Sequence, residues 1–346
     1  MTGVDHRCAV LGRPISHSLS PVLHNAAYHA LGLDDWLYTR AEVGEDDLAG
    51  FLRSLDSTWT GLSLTMPLKR TVIPLGECMD EWSTRLAVAN TAILDSSGRN
   101  RPRLYNTDVE GIRQAILNAP CGGRDASSSG GRETSGRLRL PSDADPTRIA
   151  IIGNGNTALS AVAACSELTD HGRIVVIARH PGRNTAIPDL CDALPSIHAF
   201  DAISLDDVPA VLDRLVDSEI VISTLPAHAA DSLALSLRDR APRLDGTLLD
   251  VAYDPMPSLL LREWDRHGGT PIGGEHMLVH QAVAQVRLMV GSTADGLARI
   301  DSFGMDRIGE VMDRALRNAV LNGRESAMDG RTTVSDDRSD DRGRSS

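Results

Sequence analysis

The stretch that decides the fold is RIAIIGNGNTALSAVAA, residues 148–164. It joins an apolar strand to an alanine-rich helix through a turn with the spacing GxGxxA, formed by Gly153, Asn154, Gly155, Asn156, Thr157 and Ala158. Gly153 allows the tight turn, Gly155 lets the backbone approach a pyrophosphate, and Ala158 lets the helix pack closely on the strand. The pattern predicts a dinucleotide-binding site in these six residues. A glycine turn needed only for packing is the alternative.

The end of the next strand indicates which dinucleotide is bound. An NAD site usually has Asp or Glu there to bind the ribose hydroxyls. Here the strand ends at Ala178 and is followed by Arg179 and, four residues later, by Arg183. Guanidinium groups form charge-assisted, bidentate hydrogen bonds with phosphate. The sequence therefore predicts NADP (NADPH) as the cofactor, and a solvated arginine pair is the alternative.

Short apolar runs alternate with helical patterns on both sides of this turn, which predicts an α/β protein with parallel sheets. In the first part, the predicted strands are Cys8–Gly12, Leu37–Val43, Leu62–Pro67 and Val88–Asp95. Five further strands are predicted at Ile149–Gly153, Ile174–Ala178, Ile197–Phe200, Ile220–Thr224 and Leu248–Val251. Long helical patterns at 275–290 and 303–321 follow them. We expect two domains, an N-terminal α/β substrate domain and a Rossmann-type domain with a doubly wound parallel sheet that binds NADP.

Composition excludes several classes of function. The 346 residues carry a net charge of −12, which argues against a nucleic-acid or anionic-membrane binder. No apolar run approaches the roughly 20 residues of a spanning helix, and the N-terminus does not resemble a signal peptide. The five cysteines are far apart and form no CxxC pair, so a cytoplasmic protein is expected. Gly- and Ser-rich composition predicts a flexible insertion at 120–147 and a disordered tail at 324–346.

Polar residues cluster at several predicted strand ends and helix starts of the first half. The clusters are Ser18-Leu19-Ser20-Pro21, Thr65-Met66-Pro67-Leu68-Lys69, Ala89-Asn90-Thr91 and Asn106-Thr107-Asp108. Ser20 is expected to cap a helix that has Pro21 in its first position. Taken singly, each cluster is explained by capping, by a turn or by a solvated lysine. Their occurrence together, ahead of a dinucleotide fold, favours a ligand site, because ligands bind at the carboxyl ends of strands in α/β proteins.

In order along the chain, these clusters resemble the motifs of the shikimate dehydrogenase family over nearly all of residues 7–291. Asp250-Val251-Ala252-Tyr253-Asp254-Pro255 and Gly274-Glu275-His276-Met277-Leu278-Val279-His280-Gln281 resemble two further motifs of that family. The resemblance implies that Lys69 and Asp108 form the catalytic pair. It also implies that the substrate is bound by Ser18, Ser20, Thr65, Asn90, Asp108, Tyr253 and Gln281. On the cofactor side it implies residues 153–158, Arg179, Arg183, Val251, Gly274 and Glu81.

The family fold implies how the chain divides. The expected substrate-binding domain comprises residues 1–107 and 275–323, and the NADP-binding domain comprises residues 108–274. The expected partner is a small-molecule substrate, with no nucleic acid and no membrane, and the protein is expected to be a monomer or a homodimer. His276 and His280 have the i, i+4 spacing of a metal pair. Since no third ligand is obvious, no metal is predicted.

The reaction that the resemblance implies is the reversible, NADPH-dependent reduction of 3-dehydroshikimate to shikimate. One alternative keeps the fold and changes the ligand, to quinate or an aminated shikimate analogue with NAD or NADP. A second is a non-catalytic metabolite sensor, which the presence of both Lys69 and Asp108 disfavours. A third is a folate cyclohydrolase/dehydrogenase, which the serine and glutamine motifs disfavour.

Overall fold

The computed structural model describes residues 3–95, 101–119, 146–240 and 243–332, with side chains described through residue 322. Its strands form two separate six-stranded sheets, which confirms the predicted two-domain α/β class. None of the helices in these ranges is long and apolar enough to cross a membrane.

The first sheet is mixed and has its most buried strand near the centre. Its order is β2-β1-β3-β5-β6-β4, with β1 parallel to β2 and β3, and with β5 antiparallel to β3 and β6. These strands are β1 His6–Gly12, β2 Trp36–Glu42, β3 Trp59–Leu64, β4 Glu77–Cys78, β5 Thr91–Ile93 and β6 Arg103–Tyr105. The strand predicted at Val88–Asp95 is therefore shorter than expected, because Ala89 and Asn90 form the loop that enters it.

The second sheet is entirely parallel and has the order β12-β11-β10-β7-β8-β9. This is the doubly wound order of dinucleotide-binding domains. Its strands are β7 Thr147–Ile152, β8 Gly172–Ala178, β9 Ile197–Ser204, β10 Ile220–Ser223, β11 Thr247–Asp250 and β12 Thr270–Gly273. Most residues of the central strands are buried, because helices cover both faces of the sheet.

Helices connect the strands and cover both sheets. In the first part of the chain they are α1 Ser20–Ala30, α2 Leu48–Ser54, α3 Leu68–Thr71, α4 Glu81–Leu86 and α5 Asp108–Leu117. Around the second sheet lie α6 Asn156–Ser166, α7 Ala186–Ala193, α8 Val208–Asp217, α9 Asp231–Arg240 and α10 Leu259–Arg266. The chain continues with α11 Gly274–Val290, α12 Ala294–Phe303 and α13 Met305–Thr332.

The last helices return to the first sheet. Leu278, Val286 and Met289 of α11 and Ile308 and Met312 of α13 share one buried apolar cluster with residues of α1, β1 and β2. Helix α5 packs against both α11 and α6, so it lies between the two sheets. This packing is compatible with the division of the chain expected above, whose boundaries stay a prediction.

Two sequence expectations differ from the structure near the C-terminus. The helical pattern at 303–321 is interrupted at Gly304, whose φ of +92° ends α12 before α13 begins. Glycine adopts this left-handed backbone without a Cβ penalty. The tail expected to be disordered from 324 continues α13 to Thr332, because extending an existing helix costs less than nucleating one. The rest of that tail, and residues 120–145 of the expected insertion, lie outside the described residues.

Candidate active site

Two cavities meet in the cleft between the sheets. The first has a volume of about 290 Å³ and the second of about 730 Å³. Both are lined by Thr65, Lys69 and Thr157. The two cavities therefore adjoin each other beside Lys69.

Lys69 and Asp108 form an ion pair at this junction. Lys69 lies in the short helix α3 directly after β3, and Asp108 is the first residue of α5. The Lys69 Nζ to Asp108 Oδ2 distance is 2.5 Å, and the two side chains are 13% and 2% exposed. The Asn106 side chain accepts a hydrogen bond from the Asp108 backbone N–H, and the helix N-terminus favours the carboxylate. The predicted pair is thus brought together, with the lysine at the cavity wall.

Asn90 connects this ion pair to the rest of the first cavity. Its Nδ2 donates to Asp108 Oδ1 at 2.8 Å and to Gln281 Oε1 at 3.4 Å. Thr65 and Tyr253 line the same cavity. Burial and the neighbouring Asp254 carboxylate raise the pKa of Tyr253 above its usual value, so its hydroxyl stays protonated at neutral pH. All five residues that are predicted to contact the substrate's hydroxyls and ring therefore line the first cavity: Thr65, Asn90, Asp108, Tyr253 and Gln281.

Ser18 and Ser20 also line the first cavity, at the start of α1. The Ser18 hydroxyl donates to the Ser20 hydroxyl over 3.3 Å, and both residues are buried. The prediction that Ser20 caps α1 is wrong, since the helix begins at Ser20 itself and the preceding Leu19 makes no side-chain cap. The Ser18 hydroxyl also accepts a hydrogen bond from the Ser20 backbone N–H at 3.4 Å. Both serines line the first cavity beside the positive helix end, a position that suits a carboxylate.

The predicted glycine turn lines the second cavity. Gly153 has a φ of +108°, and a Cβ there would come within 2.4 Å of Thr224 Oγ1. A Cβ on Gly155 would meet no atom within 4 Å, so this glycine leaves open space at the start of α6. No side chain caps α6. Ala158 lies behind the turn and is fully buried, as its packing role predicts.

Asparagine side chains on both sides brace the turn. Asn154 Nδ2 donates to the His180 carbonyl at 2.8 Å, and Asn184 Nδ2 donates to the Asn154 carbonyl at 2.9 Å. Arg70 Nε donates to Asn156 Oδ1 at 2.7 Å, which ties the turn to the segment that carries Lys69. These three hydrogen bonds connect the turn to the segment after β8 and to α3.

The second cavity is locally positive although the chain is acidic. Arg179 and Arg183 are exposed and line it together with Lys69, whereas Asp206 is the single carboxylate among the described residues of its wall. Val251 and Gly274 instead line the first cavity. A Cβ on Gly274 would come within 2.4 Å of the Val251 carbonyl oxygen, so β11 and the start of α11 approach closely only because this residue is glycine.

Comparison with known proteins identifies relatives of this chain. Residues 10–92 match the family model described as the shikimate dehydrogenase substrate binding domain. A Halobacterium salinarum protein named shikimate dehydrogenase (NADP(+)) is 30% identical over 286 residues, which cover 82% of this chain and 93% of the relative. The chain belongs to the shikimate dehydrogenase family. A Methanosarcina barkeri shikimate dehydrogenase (NADP(+)) is 29% identical over 288 residues, covering 82% of this chain and 91% of that protein.

A solved member of the shikimate dehydrogenase family has the same architecture over its whole length. The crystal structure of Mycobacterium tuberculosis shikimate dehydrogenase superposes with a TM-score of 0.66 at 31% identity. The match covers 86% of this chain and 99% of that one.

The basic residues of this member of the shikimate dehydrogenase family are almost all arginines. Of 35 lysines and arginines, Lys69 is the single lysine. Arginine supplies a positive charge at every other basic position, but it cannot lose a proton in proteins. Lys69 is therefore the one side chain among these 35 that combines a positive charge with a proton that it can donate.

One predicted cofactor residue is not brought to the cleft. Glu81 lines neither cavity, and its exposed carboxylate pairs with Arg85 at 2.9 Å, one turn further along α4. The i, i+4 spacing explains this pairing. His276 and His280 also lie elsewhere, in a groove lined by α5, α11 and α13. Among the side chains that the structure describes, no group of three or more His, Cys, Asp or Glu residues is arranged to hold a metal.

Three polar residues line the first cavity without having been predicted from the sequence: His17, Ser63 and Gln285. Two of them had a signal in the sequence. Ser63 stands two residues before Thr65, and alternate residues of a strand point to one face. Gln285 stands four residues after Gln281, and residues with that spacing lie on one face of a helix.

Proposed function

We propose that the protein is a shikimate dehydrogenase that catalyses the reversible, NADPH-dependent reduction of 3-dehydroshikimate to shikimate. The observation that carries the proposal is the Lys69–Asp108 ion pair at the junction of the two cavities. Names of relatives that cover most of the chain support the same activity. The Lys69 and Asp108 side chains are the proposed catalytic groups.

The residues around the second cavity fit NADPH. The open space at Gly155 and the uncapped start of α6 suit a pyrophosphate. Arg179 and Arg183 suit a 2′-phosphate, and the sequence ARHPGRN at 178–184 contains no carboxylate that would repel it. We assign pyrophosphate binding to residues 153–158, and contacts near the nicotinamide to Val251 and Gly274. Glu81 is not retained in this assignment, because it lines neither cavity.

On the substrate side, each proposed role follows from the groups present. Ser18 and Ser20 bind the carboxylate through hydroxyls at a helix start. Donors and acceptors for the ring hydroxyls are supplied by Thr65, Asn90, Asp108, Tyr253 and Gln281. The cavity of about 290 Å³ suits a compact ligand of this kind.

Reduction adds a hydride to the carbonyl carbon and a proton to its oxygen. When bound, NADPH supplies the hydride. The Lys69 ammonium stabilises the negative charge that develops on the oxygen and donates the proton. Asp108 holds the ammonium in place through the 2.5 Å contact, and Asn90 holds the other carboxylate oxygen. In the oxidative direction, Lys69 accepts the same proton.

The expected division of the chain is part of the proposal. We assign residues 1–107 and 275–323 to substrate binding and residues 108–274 to NADP binding. The protein acts on a small molecule as a monomer or homodimer in the cytoplasm, without nucleic acid or membrane as partner. The free thiols of Cys8, Cys78, Cys165 and Cys191 support a reducing compartment.

The proposed activity is tested by following NADP⁺ reduction with shikimate, with quinate and without substrate, side by side, and then repeating each assay with NAD⁺. We expect turnover with shikimate and NADP⁺ to have the highest kcat/KM. Faster turnover with quinate or with NAD⁺ would replace the proposed substrate or cofactor by that alternative. Binding of both ligands without turnover would indicate a metabolite sensor.

The proposed role of Arg179 gives a prediction about cofactor choice. Arg179→Ala should raise the Kd for NADPH about tenfold and leave the Kd for NADH nearly unchanged, because one charge-assisted contact to the 2′-phosphate is lost. Fluorescence titration with both dinucleotides measures the effect. Arg173→Ala, which removes an exposed arginine from the other end of β8, serves as the control and should change neither Kd. Equal weakening of NADPH and NADH in Arg179→Ala would show that Arg179 does not bind the 2′-phosphate.

A further inference from the structure

The Asn90 side chain has one permitted orientation. Its Oδ1 accepts hydrogen bonds from the Thr107 backbone N–H at 2.8 Å, the Thr107 hydroxyl at 3.1 Å and the Thr91 hydroxyl at 3.0 Å. A backbone N–H is always a donor, so the oxygen end of the amide must face Thr107. The Nδ2 end therefore faces Asp108, where its hydrogen bond to Oδ1 measures 2.8 Å.

The Thr91 hydroxyl is oriented in turn by Gln285. The Gln285 Nε2 group donates to Thr91 Oγ1 at 3.1 Å, so the Thr91 proton is free to point at Asn90 Oδ1. Thr91 is completely buried and does not line either cavity. Its hydroxyl thus serves the Asn90 amide and not a ligand.

Gln285 is oriented by two residues of the first sheet. The Tyr38 hydroxyl donates to Ser63 Oγ at 2.6 Å, and Ser63 Oγ donates to Gln285 Oε1 at 2.9 Å. Burial raises the pKa of Tyr38 above its usual value, so the phenol keeps its proton. The hydrogen bonds therefore run in one direction from Tyr38 through Ser63, Gln285 and Thr91 to Asn90.

The polar side chains of this hydrogen-bond network are buried. Tyr38, Ser63 and Gln285 are 1%, 4% and 3% exposed, and water has little access to their polar groups. Leaving one buried donor or acceptor unpaired destabilises the folded state. An apolar side chain at 285 would leave the buried Ser63 and Thr91 hydroxyls each without one hydrogen-bond partner.

We propose that Gln285 is a positioning residue which, through Thr91 and Asn90, sets the direction of the Asp108 carboxylate that holds Lys69. The residues of the network lie on β2, β3, β5 and α11, so segments from both ends of the chain contribute to the alignment of the Lys69–Asp108 pair. The inference rests on the proposed function where it refers to turnover. The part of the inference that concerns the position of the Lys69 side chain does not depend on the proposed function.

The experiment uses Thr91→Val, which removes the hydroxyl and keeps the side-chain volume, together with Thr91→Ser, which keeps the hydroxyl. Gln285→Met tests the preceding link, and Thr60→Val, a buried threonine of β3 outside the network, is the matched control. We expect kcat with shikimate to fall about tenfold in Thr91→Val and Gln285→Met. KM should stay within about twofold in Thr91→Val, because Thr91 does not line the substrate cavity. Thr91→Ser and Thr60→Val should turn over like the unaltered protein.

A second measurement reports on Lys69 without any substrate. Since Lys69 is the single lysine, protein labelled with ¹³C at lysine Cε gives one side-chain resonance. We expect this resonance to move and broaden in Thr91→Val and Gln285→Met, and to stay in place in Thr91→Ser and Thr60→Val. An unmoved resonance in Thr91→Val, or a loss of kcat that Thr91→Ser does not restore, overturns the inference. If the resonance moves as expected while no variant and no unaltered protein oxidises shikimate, the network stands and the proposed function fails.

Discussion

Lys69→Ala should lower kcat for shikimate oxidation by about 10²-fold or more. This is the usual scale for the loss of a general acid or base. The variant loses both the proton donor and the positive charge beside the reacting oxygen, and it leaves the buried Asp108 carboxylate without its partner. The measurement is steady-state kinetics at saturating NADP⁺, with circular dichroism and NADPH titration to verify that the fold and the cofactor cavity are intact.

Lys69→Arg separates the two functions of the side chain. Arginine keeps the positive charge near Asp108 but cannot donate its proton, so kcat should stay close to that of Lys69→Ala. Recovery of most of the activity in Lys69→Arg would show that a fixed charge suffices. Near-normal turnover in Lys69→Ala, with the fold intact, would remove Lys69 from the mechanism altogether.

The second sheet could be predicted well because its strands are buried on both faces. Runs such as Ile149–Ile152 and Ile220–Ile222 are apolar without alternation, and the glycine turn fixes where the first of them ends. Parallel strands between helices produce this pattern. The missed strand β12, TPIG, is short and contains a proline and a glycine, so its sequence resembles a loop.

The first sheet was harder to predict because short strands carry little pattern. Strands β4 and β6 have two and three residues, and their pairing is decided by tertiary contacts. A periodicity of two cannot be recognised in so few residues. The boundary between α12 and α13 was also missed, because the sequence alone did not indicate that Gly304 adopts a positive φ.

In the candidate site, residue types could be predicted but their contacts could not. Lys69 and Asp108 are separated by 39 residues, and only the folded sheet shows that their charged atoms lie 2.5 Å apart. Gln285 and Ser63 are separated by 222 residues, so no local pattern indicates their hydrogen bond. The role of Glu81 was inferred by resemblance alone, and its i, i+4 partner Arg85 was the local feature that argued against it.

The second large effect concerns stability in acid and arises from His24. This imidazole is fully buried in α1, stacked on Tyr38 with ring centroids 3.9 Å apart, and its Nδ1 lies 2.9 Å from the Ser20 carbonyl oxygen. Burial lowers the pKa of His24 from its usual 6.5 to about 4. Between pH 6.5 and about pH 4, His24 is therefore largely protonated in the unfolded chain and largely neutral in the folded chain.

The sign of the effect follows from that difference. Above about pH 6.5, His24 is neutral in both states and its titration leaves the free energy of unfolding unchanged. As the pH falls from 6.5 to 4, the unfolded state takes up the proton first, so the folded state loses about 3 kcal/mol relative to it. Ser20 lies in the proposed substrate site, so the stability of this part of α1 also matters for binding.

His24→Gln should therefore flatten the acid side of the stability profile. Urea unfolding at pH 7, 6, 5 and 4 measures the free energy of unfolding of both proteins. Relative to His24→Gln, the unaltered protein should lose about 3 kcal/mol of this free energy between pH 7 and pH 4. Carboxylates that titrate in both proteins cancel in this difference. His29→Gln is the control on the same helix, and because His29 is exposed it should keep the profile of the unaltered protein. A His24→Gln profile parallel to that of the unaltered protein would show that the folded state accepts the proton on His24.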